Sequence, residues 1–492
     1  MVVSCQEMAD AEEKLFSGDV SAEPFMDEAG RLCAEAIRSF FPEPGFAHIF
    51  CGPGNNGGDS LVVARWLKSW GWEIELNFSH GAGKISPLAV SKLEQYEAES
   101  SPDASGPKRD RILVDGLLGI GARGDLRGGV REQADRIHQL RHDQFASCFA
   151  IDIPTGLDGD TGQPYEGAVE ADYTLSITEA KTGFAADAAT PHVGRLVEIP
   201  LDIPVSGDES VGFLFPSSLK PRLLRRKSDT HKGKAGRVTL IAGSRGYTGA
   251  ALLTALGASR SGAGLTTLCV EEEIYPIIAA RCPAEVMVRP LGELGDVLDP
   301  EHDVLAIGPG LGSSPRGELV ELIWQHPAPM VVDADAINAL ARDSRPLSDL
   351  PSNRLLTPHP GELERLLAKE GHDGDEGRVD LTRKLADEWG ITLLHKGSRT
   401  AIATPAHPVE LNTTGHPGMA SGGMGDILTG MCASLAGQGL SLHDSACVGS
   451  WLLGRAAELA RDRYRAAEAS ISAVQVAENI GAALRDLETE SP

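Results

Sequence analysis

Two α/β domains are what this sequence predicts, and three observations carry that expectation. A chain of 492 residues is too long for one ordinary hydrophobic core. Short apolar runs rich in Val, Ile and Leu recur along it. Each leads into a glycine-rich turn and then a helical apolar stripe, the alternation of a parallel sheet covered by helices. The alternation lapses once, between Leu201 and Asp229, where Pro200, Pro204, Ser206-Gly207-Asp208, Pro216 and Pro221 read as a linker. Domains of 1–213 and 214–492 follow. The stretch from Pro200 to Ser218 is expected to support few contacts, so that cutting near Ser217 leaves two soluble halves.

Composition narrows the class. Hydrophobic residues at 41% and charged residues at 23% are ordinary for a soluble globular protein. Lys and Arg number 45 against 70 Asp and Glu, a net charge of −25, which repels nucleic acid and anionic membrane. A phosphorylated ligand must therefore be held by local backbone donors, a few lysines or metal ions. Residues 1–10 turn acidic at once, without the basic and apolar regions of a signal peptide, and no run approaches a membrane span. Eight scattered cysteines without a C-x-x-C pair read as reduced thiols. A cytoplasmic location is expected.

In the first half, residues 4–40 read as one or two helices with Met8, Leu15, Met26, Ala29, Cys33 and Ile37 on an apolar stripe. A strand at 47–51 runs into Gly52-Pro-Gly-Asn55-Asn56-Gly57-Gly58-Asp59, and a helix is expected from Ser60 to Trp70. Strand, glycine loop and helix form the βα unit of a doubly wound sheet, whose ligand site lies at the carboxyl end of the strand. Asn55 and Asn56 supply amides that can read a ribose or ligate a hard cation. A second strand ends in Asp115, before Gly116-Leu-Leu-Gly119-Ile120-Gly121-Ala122-Arg123-Gly124-Asp125. The letters match G-x-G-x-x-G, but no apolar helix follows the third glycine, so the dinucleotide fingerprint is not met. Strands at 148–153 and 172–177 follow, the first carrying Asp152 and the second leading to Lys181. One strand-end Asp is usually a turn former; three on one edge point to a site.

These residues resemble the NAD(P)H-hydrate epimerase family over 4–205, through Asn55–Asp59, Leu113-Val-Asp115, Asp152-Ile-Pro-Thr155-Gly-Leu-Asp158 and Thr178-x-x-Lys181. The resemblance implies a Rossmann-like sheet and a K⁺ ion held by Asn56, Asp115 and Thr155. It places the hydrate on residues 55–59, on Gly119, Ile120, Gly121, Ala122, Arg123, Gly124 and Asp125, and on Asp152. Asp152 is the candidate for proton transfer, with Lys181 its partner. Ile120 stands where threonine is usual, and Thr155 where serine is.

In the second half, strands are expected at 238–242, 265–270, 303–307, 330–332 and 354–357, with a strand, turn and strand over 392–403. The basic run Lys220 to Lys227 reads as solvated arms. Gly415-His416-Pro-Gly-Met-Ala-Ser-Gly422-Gly423-Met-Gly425-Asp426 then opens a helix. Bare N–H groups at a helix start hold an anion. Asp426 is placed to take a proton from a hydroxyl beside a bound phosphate, although a simple helix cap reads the same way.

The order of Gly-Pro-Gly310-Leu-Gly312, Asp333-x-Asp335, His359-Pro-Gly-Glu362, Lys396-Gly397 and Gly422-Gly423-x-Gly425-Asp426 resembles the ribokinase-type fold, and closely the ADP/ATP-dependent NAD(P)H-hydrate dehydratases, over 225–490. The resemblance implies that Ala250, Gly310, Gly312, His359 and Asp426 face the hydrate. It implies that Lys396, Gly397, Ser398, Arg399, Thr400, Gly422, Gly423 and Gly425 face ADP or ATP. Asp426 would be the base and Mg²⁺ the nucleotide's counter-ion. His416 stands where asparagine is commoner. The whole chain is thus similar to fused bifunctional hydrate-repair enzymes, acting on small molecules, with a homo-oligomer expected. A small-molecule kinase carrying a non-catalytic N-terminal binding module is the alternative.

Overall fold

The computed structural model describes residues 1–18, 20–81, 83–101, 110–292, 302–313, 317–374, 376–464 and 466–491. They form two compact units, Met1–Val211 and Gly212–Ser491.

The N-terminal unit holds β1 (Val2–Val3), β2 (Phe46–Cys51), β3 (Glu73–Phe78), β4 (Arg111–Gly116), β5 (Ser147–Ile151), β6 (Tyr173–Ile177), β7 (Ala180–Lys181) and β8 (Arg195–Ile199). Six of these make a parallel sheet in the order β3-β2-β4-β5-β6-β8, and β1 pairs with β7. Alternation along the strands divides the core. Ile49, Ile112, Val114 and Phe149 face the helices Glu23–Phe40 and Asn55–Ser69, while Phe50, Leu113 and Cys148 face the helix Gly128–Gln144. The chain leaves β2 toward β3 and returns to β4 on the other side, which puts the topological switch between the ends of β2 and β4.

There the helix starts five residues earlier than the sequence suggests, at Asn55 instead of Ser60, so Asn55–Asp59 are helical and not a loop. The glycines are packing residues. A Cβ on Gly57 would lie 2.1 Å from the Gly52 carbonyl oxygen, and one on Gly58 would lie 2.6 Å from the Met26 side chain. Strand β3, with its Glu-Ile-Glu-Leu-Asn-Phe alternation, and β8 were not anticipated.

The C-terminal unit holds β9 (Val211–Leu214), β10 (Arg237–Ile241), β11 (Leu265–Val270), β12 (Val286–Pro290), β13 (Val304–Ile307), β14 (Met330–Val332), β15 (Arg354–Leu356), β16 (Thr392–His395), β17 (Ala401–Ala403) and β18 (Val409–Asn412). The sheet order is β12-β11-β10-β13-β14-β15-β16-β17-β18-β9. Pairing is parallel from β12 to β16 and antiparallel from β16 to β18. Val304, Ala306, Val331 and Leu355 share a core with the helices Thr248–Arg260, Met424–Gly437, Leu442–Tyr464 and Ala473–Glu488. The alternate residues Leu305, Ile307, Met330 and Val332 are equally buried on the opposite face. The switch point here lies between β10 and β13.

The linker expectation fails. Strand β9 falls inside it and forms the sheet edge next to β18, with Phe213, Leu214 and Phe215 buried and Thr413 Oγ1 donating to the Leu214 carbonyl at 2.6 Å. A four-residue strand flanked by Pro and Gly carries too little pattern to register in sequence. The basic run is not all solvated either, since Arg222 ion-pairs with the buried Glu410.

Candidate functional sites at the two switch points

In the N-terminal unit a cavity of about 410 Å³ opens at the switch. The helix start supplies Asn55, Asn56 and Asp59, the loop after β4 supplies Leu117–Ala122, and Asp152, Ile177 and Lys181 close the polar side. Asp115 is fully buried at the end of β4. Its carboxylate accepts from the Thr155 N–H at 2.8 Å, the Thr155 hydroxyl at 2.7 Å and the Leu117 N–H at 3.2 Å. Leu118 N donates to Thr155 Oγ1 at 3.1 Å, and Asn56 Nδ2 donates to the Leu118 carbonyl at 2.7 Å. The structure thus gathers Asn56, Asp115 and Thr155 around one short segment. Burial pushes the Asp115 carboxyl up to about 6, with these hydrogen bonds opposing it. Among the described residues no cationic side chain neutralises it, and an oxygen-rich pocket with an uncompensated buried carboxylate fits a hard monovalent cation.

Asp152 adopts a left-handed backbone conformation, φ 63°. It accepts from Ile177 N at 3.1 Å and from Lys181 Nζ at 2.6 Å. Lys181 also donates to the carbonyls of Ile177 and Glu179, both at 3.0 Å, so all three ammonium protons are engaged. Lys181 therefore holds Asp152 in place and has no proton directed at the cavity. Two further carboxyls share the pocket with them. Asp59 is pushed well above the usual range by burial and by the charges of Asp152 and Glu12, and burial with Asp152 also raises Glu12. Glu12 escaped the sequence reading because it sits mid-helix in a charged stretch with no motif around it.

Not all of the expected residues line this cavity. Gly57 and Gly58 do not line the cavity. Arg123, Gly124 and Asp125 border an adjoining cavity of about 220 Å³ that shares Leu118 and Ala122 with the first, and Arg123 is bound to Asp160 at 2.7 Å. Ile120 joins the small apolar cluster of Val3, Met8 and Ile203, which gives the departure from threonine a packing role beside the cavity.

In the C-terminal unit the turns after β13, β14 and β16 meet at the start of the helix Met424–Gly437. Gly308 (φ 134°) brings the β13 turn so close that a Cβ would lie 1.8 Å from the Asp333 carbonyl oxygen. Gly310 (φ 65°) packs beside Ala250, and Gly312 N donates to Asp335 Oδ2 at 2.8 Å. Lys396 donates to Asp333 Oδ1 at 2.7 Å, and the Thr429 hydroxyl donates to Asp333 Oδ2 at 2.6 Å. A Cβ on Gly425 would lie 3.3 Å from Lys396 Nζ, so the helix start, the lysine and the carboxylates are in one place.

Asp426 is not the cap. Gly423 is the N-cap, with φ 96°, and Asp426 lies in the first turn. Burial and the charges of Asp333 and Asp335, against Lys396, raise its carboxyl to about 6. Burial works against the Lys396 ammonium, but Asp333, Glu362 and Asp426 together raise it. Asp333 and Glu362, named only as parts of motifs in the sequence, are structural centres of this site.

His359 caps its own helix, Pro360–Glu370, accepting from Glu362 N at 3.3 Å. Within the turn 396–400, Gly397 and Ser398 are exposed, whereas the buried Arg399 side chain lies over the Phe213 ring and Thr400 Oγ1 donates to Gly397 O at 3.2 Å. His416 is a turn former, accepting from Gly418 N at 3.1 Å and donating to the Ala457 carbonyl at 3.1 Å.

Residues 238–479 match the family model described as NAD(P)H-hydrate dehydratase, and residues 22–183 match that described as YjeF-related protein N-terminus. The C-terminal unit is similar to a crystal structure of a ribokinase-like superfamily protein from Enterococcus faecalis, with 27% identity and a TM-score of 0.50 over 59% of this chain and 100% of that one. The chain is 34% identical to the bifunctional NAD(P)H-hydrate repair enzyme of Escherichia coli over 89% of this chain and 85% of that one. Against the enzyme of the same name from Moorella thermoacetica the identity is 36%, over 94% of this chain and 93% of that one. At that identity, along nearly the full length of both chains, the chain belongs to the family of bifunctional NAD(P)H-hydrate repair enzymes.

Proposed function

We propose that the N-terminal unit interconverts the R and S hydrates of NAD(P)H and that the C-terminal unit dehydrates the S form at the expense of ADP or ATP. The observation that carries the second activity is the convergence of Lys396, Asp333 and Asp426 on the start of one helix at a switch point.

Asp426 takes the proton from the ring hydroxyl, whose oxygen accepts the terminal phosphoryl group. A base with pKa about 6 is ionised at neutral pH yet still basic enough for that step. The N–H groups of Gly422, Gly423 and Gly425 face the charge that builds on the moving phosphoryl group. The ring-nitrogen lone pair then expels phosphate as the C–O bond breaks, and the departing phosphate or solvent takes a proton from the adjacent ring carbon, which restores the double bond. Water is removed and one phosphoanhydride is cleaved. Asp333, Asp335, Glu362 and Asp426 outnumber Lys396, so a nucleotide needs a counter-ion here, and Mg²⁺ carried with its phosphates would supply it.

In the first unit Asp152, held by Lys181, serves proton transfer, with the protonation-prone Asp59 and Glu12 beside it. Asn56, Asp115 and Thr155 would hold K⁺, which supplies positive charge beside the hydrate. The test is incubation with chemically hydrated NADH and each nucleotide, following the return of reduced-nicotinamide absorbance. A stable phosphorylated product by phosphorus NMR, with no NADH restored, would instead identify a small-molecule kinase.

A further inference from the structure

A buried cluster in the C-terminal unit takes no part in either reaction. His443 and Cys447 stand one turn apart on the helix Leu442–Tyr464 and project from the same face onto Glu410 of β18. His443 Nε2 lies 2.8 Å from Glu410 Oε2, Cys447 Sγ lies 3.0 Å from the same oxygen, and Cys447 Sγ and His443 Nε2 are 3.7 Å apart. The three residues are 7%, 6% and 0% exposed for Glu410, His443 and Cys447.

The other ring nitrogen decides what Nε2 offers. Thr404 Oγ1 donates to Thr392 Oγ1 at 3.0 Å, so it accepts from His443 Nδ1 at 2.9 Å. In the neutral ring that leaves the Nε2 lone pair facing a carboxylate oxygen at 2.8 Å, an acceptor against an acceptor. A cation between them removes the conflict. We propose that Glu410, His443 and Cys447 form a three-ligand zinc site whose fourth position takes a water, with Thr404 fixing the histidine tautomer and Arg222 holding the carboxylate from outside.

The dimensions suit the ion. Tetrahedral zinc with its usual bond lengths separates O from N by about 3.3 Å, and O or N from S by about 3.5 Å, so side-chain shifts of about half an ångström open the triangle. A ligating histidine that donates its second N–H to oxygen is the normal arrangement around zinc. Arg222 donates to both Glu410 oxygens, which keeps the carboxylate ionised. Burial holds the Cys447 thiol protonated, and zinc displaces that proton to solvent as the sulfur–metal bond forms. The exposed His407 stacks on His443 with centroids 4.6 Å apart, so the cluster lies one ring below solvent.

The full-length protein, stripped with a chelator, should bind one equivalent of Co²⁺ with a thiolate-to-cobalt band in the near ultraviolet, and Zn²⁺ should displace it. Cys447→Ser should abolish the band, whereas Cys282→Ser, outside the cluster, should keep it. Thr404→Val should weaken binding by about 10–100-fold. Should Cys447→Ser fail to fold, the melting temperature of Glu410→Gln decides: zinc should raise that of the wild type and not that of the variant. No cobalt–thiolate band in the wild type, or one of equal strength in Cys447→Ser, overturns the site and leaves the 2.8 Å contact a His–Glu hydrogen bond.

Discussion

Asp426→Asn should abolish dehydration and at the same time stabilise the protein. Losing a general base costs about 10²–10⁴-fold in rate. The stability gain comes from the same burial and the same carboxylate neighbours that raise the Asp426 carboxyl from 3.8 to about 6. A difference of about 2 units corresponds to roughly 3 kcal/mol as a ceiling, reduced to about 1–2 kcal/mol because Asp426 is only partly buried and solvent screens its neighbours. The sign follows from the raised folded-state pKa. Ionised Asp426 disfavours the fold, the cost growing as pH rises from about 4 to 6, constant above that and absent below. Asparagine removes the charge, so the variant should melt a few degrees higher at pH 7–8 and level with the wild type near pH 4.

The wild-type rate carries the matching signature. A base of pKa about 6 falls from about 90% to about 10% ionised between pH 7 and pH 5, so dehydratase kcat/KM should drop about tenfold. An ordinary carboxylate would leave it nearly flat. Stopped assays with hydrated NADH and ADP or ATP, beside calorimetry of both proteins, make the measurement. A flat profile over that range, or a variant less stable at pH 7, refutes the electrostatic account. Epimerisation, followed by chromatography of the two hydrates, should be unchanged in the variant.

Asp115→Ala should remove both K⁺ activation and epimerase turnover while dehydration persists; equal rates in potassium and in tetramethylammonium buffers for the wild type would contradict the cation assignment. Lys181→Met should leave Asp152 an uncompensated, mostly buried charge, costing about 3–5 kcal/mol of stability and the epimerase activity, measured by denaturant unfolding and hydrate chromatography. Severing the chain between Ser210 and Val211 should yield two soluble active fragments, whereas severing at 216/217 should not. The later cut strips Phe213, Leu214 and Phe215 from the second unit, at about 1.5–3 kcal/mol each, a total comparable with the stability of a whole domain. Soluble, active 217–492 would show that β9 is dispensable.

The contrast between β9 and the other strands shows what a sequence can carry. Strands β2, β4, β5, β10, β13 and β14 are largely buried on both faces and read as apolar runs before a turn, so their existence and order were accessible. Edge and near-edge strands such as β9, β12 and β18 owe their state to neighbours that arrive from elsewhere in the chain. The glycine-rich motifs located both switch points, because backbone approaches as close as that of Gly308 to Asp333 admit no other residue. Which side chains face the ligand was less accessible. Arg399 turns inward over Phe213, Lys181 has every proton engaged, and Glu12 joins the cavity from a helix far away in sequence. Those outcomes depend on tertiary contacts that no local pattern encodes.

Both units meet the same electrostatic problem in the same way, and the solution bears on how an acidic protein binds anions. Each places a surplus of carboxyl groups at a switch point and one buried lysine against a single member, Lys181 on Asp152 at 2.6 Å and Lys396 on Asp333 at 2.7 Å. The lysine is thereby committed to its partner, and burial lifts the remaining carboxyls, Asp59 and Glu12 in one unit, Asp426 and Glu362 in the other. Raised carboxyls lie nearer to solution pH as donors or bases, and Asp426, ionised at neutral pH, is the base among them. The net charge of −25 therefore does not set the potential inside either site. Backbone N–H groups and cations set it locally, so raising the ionic strength should change binding far less than replacing the two lysines.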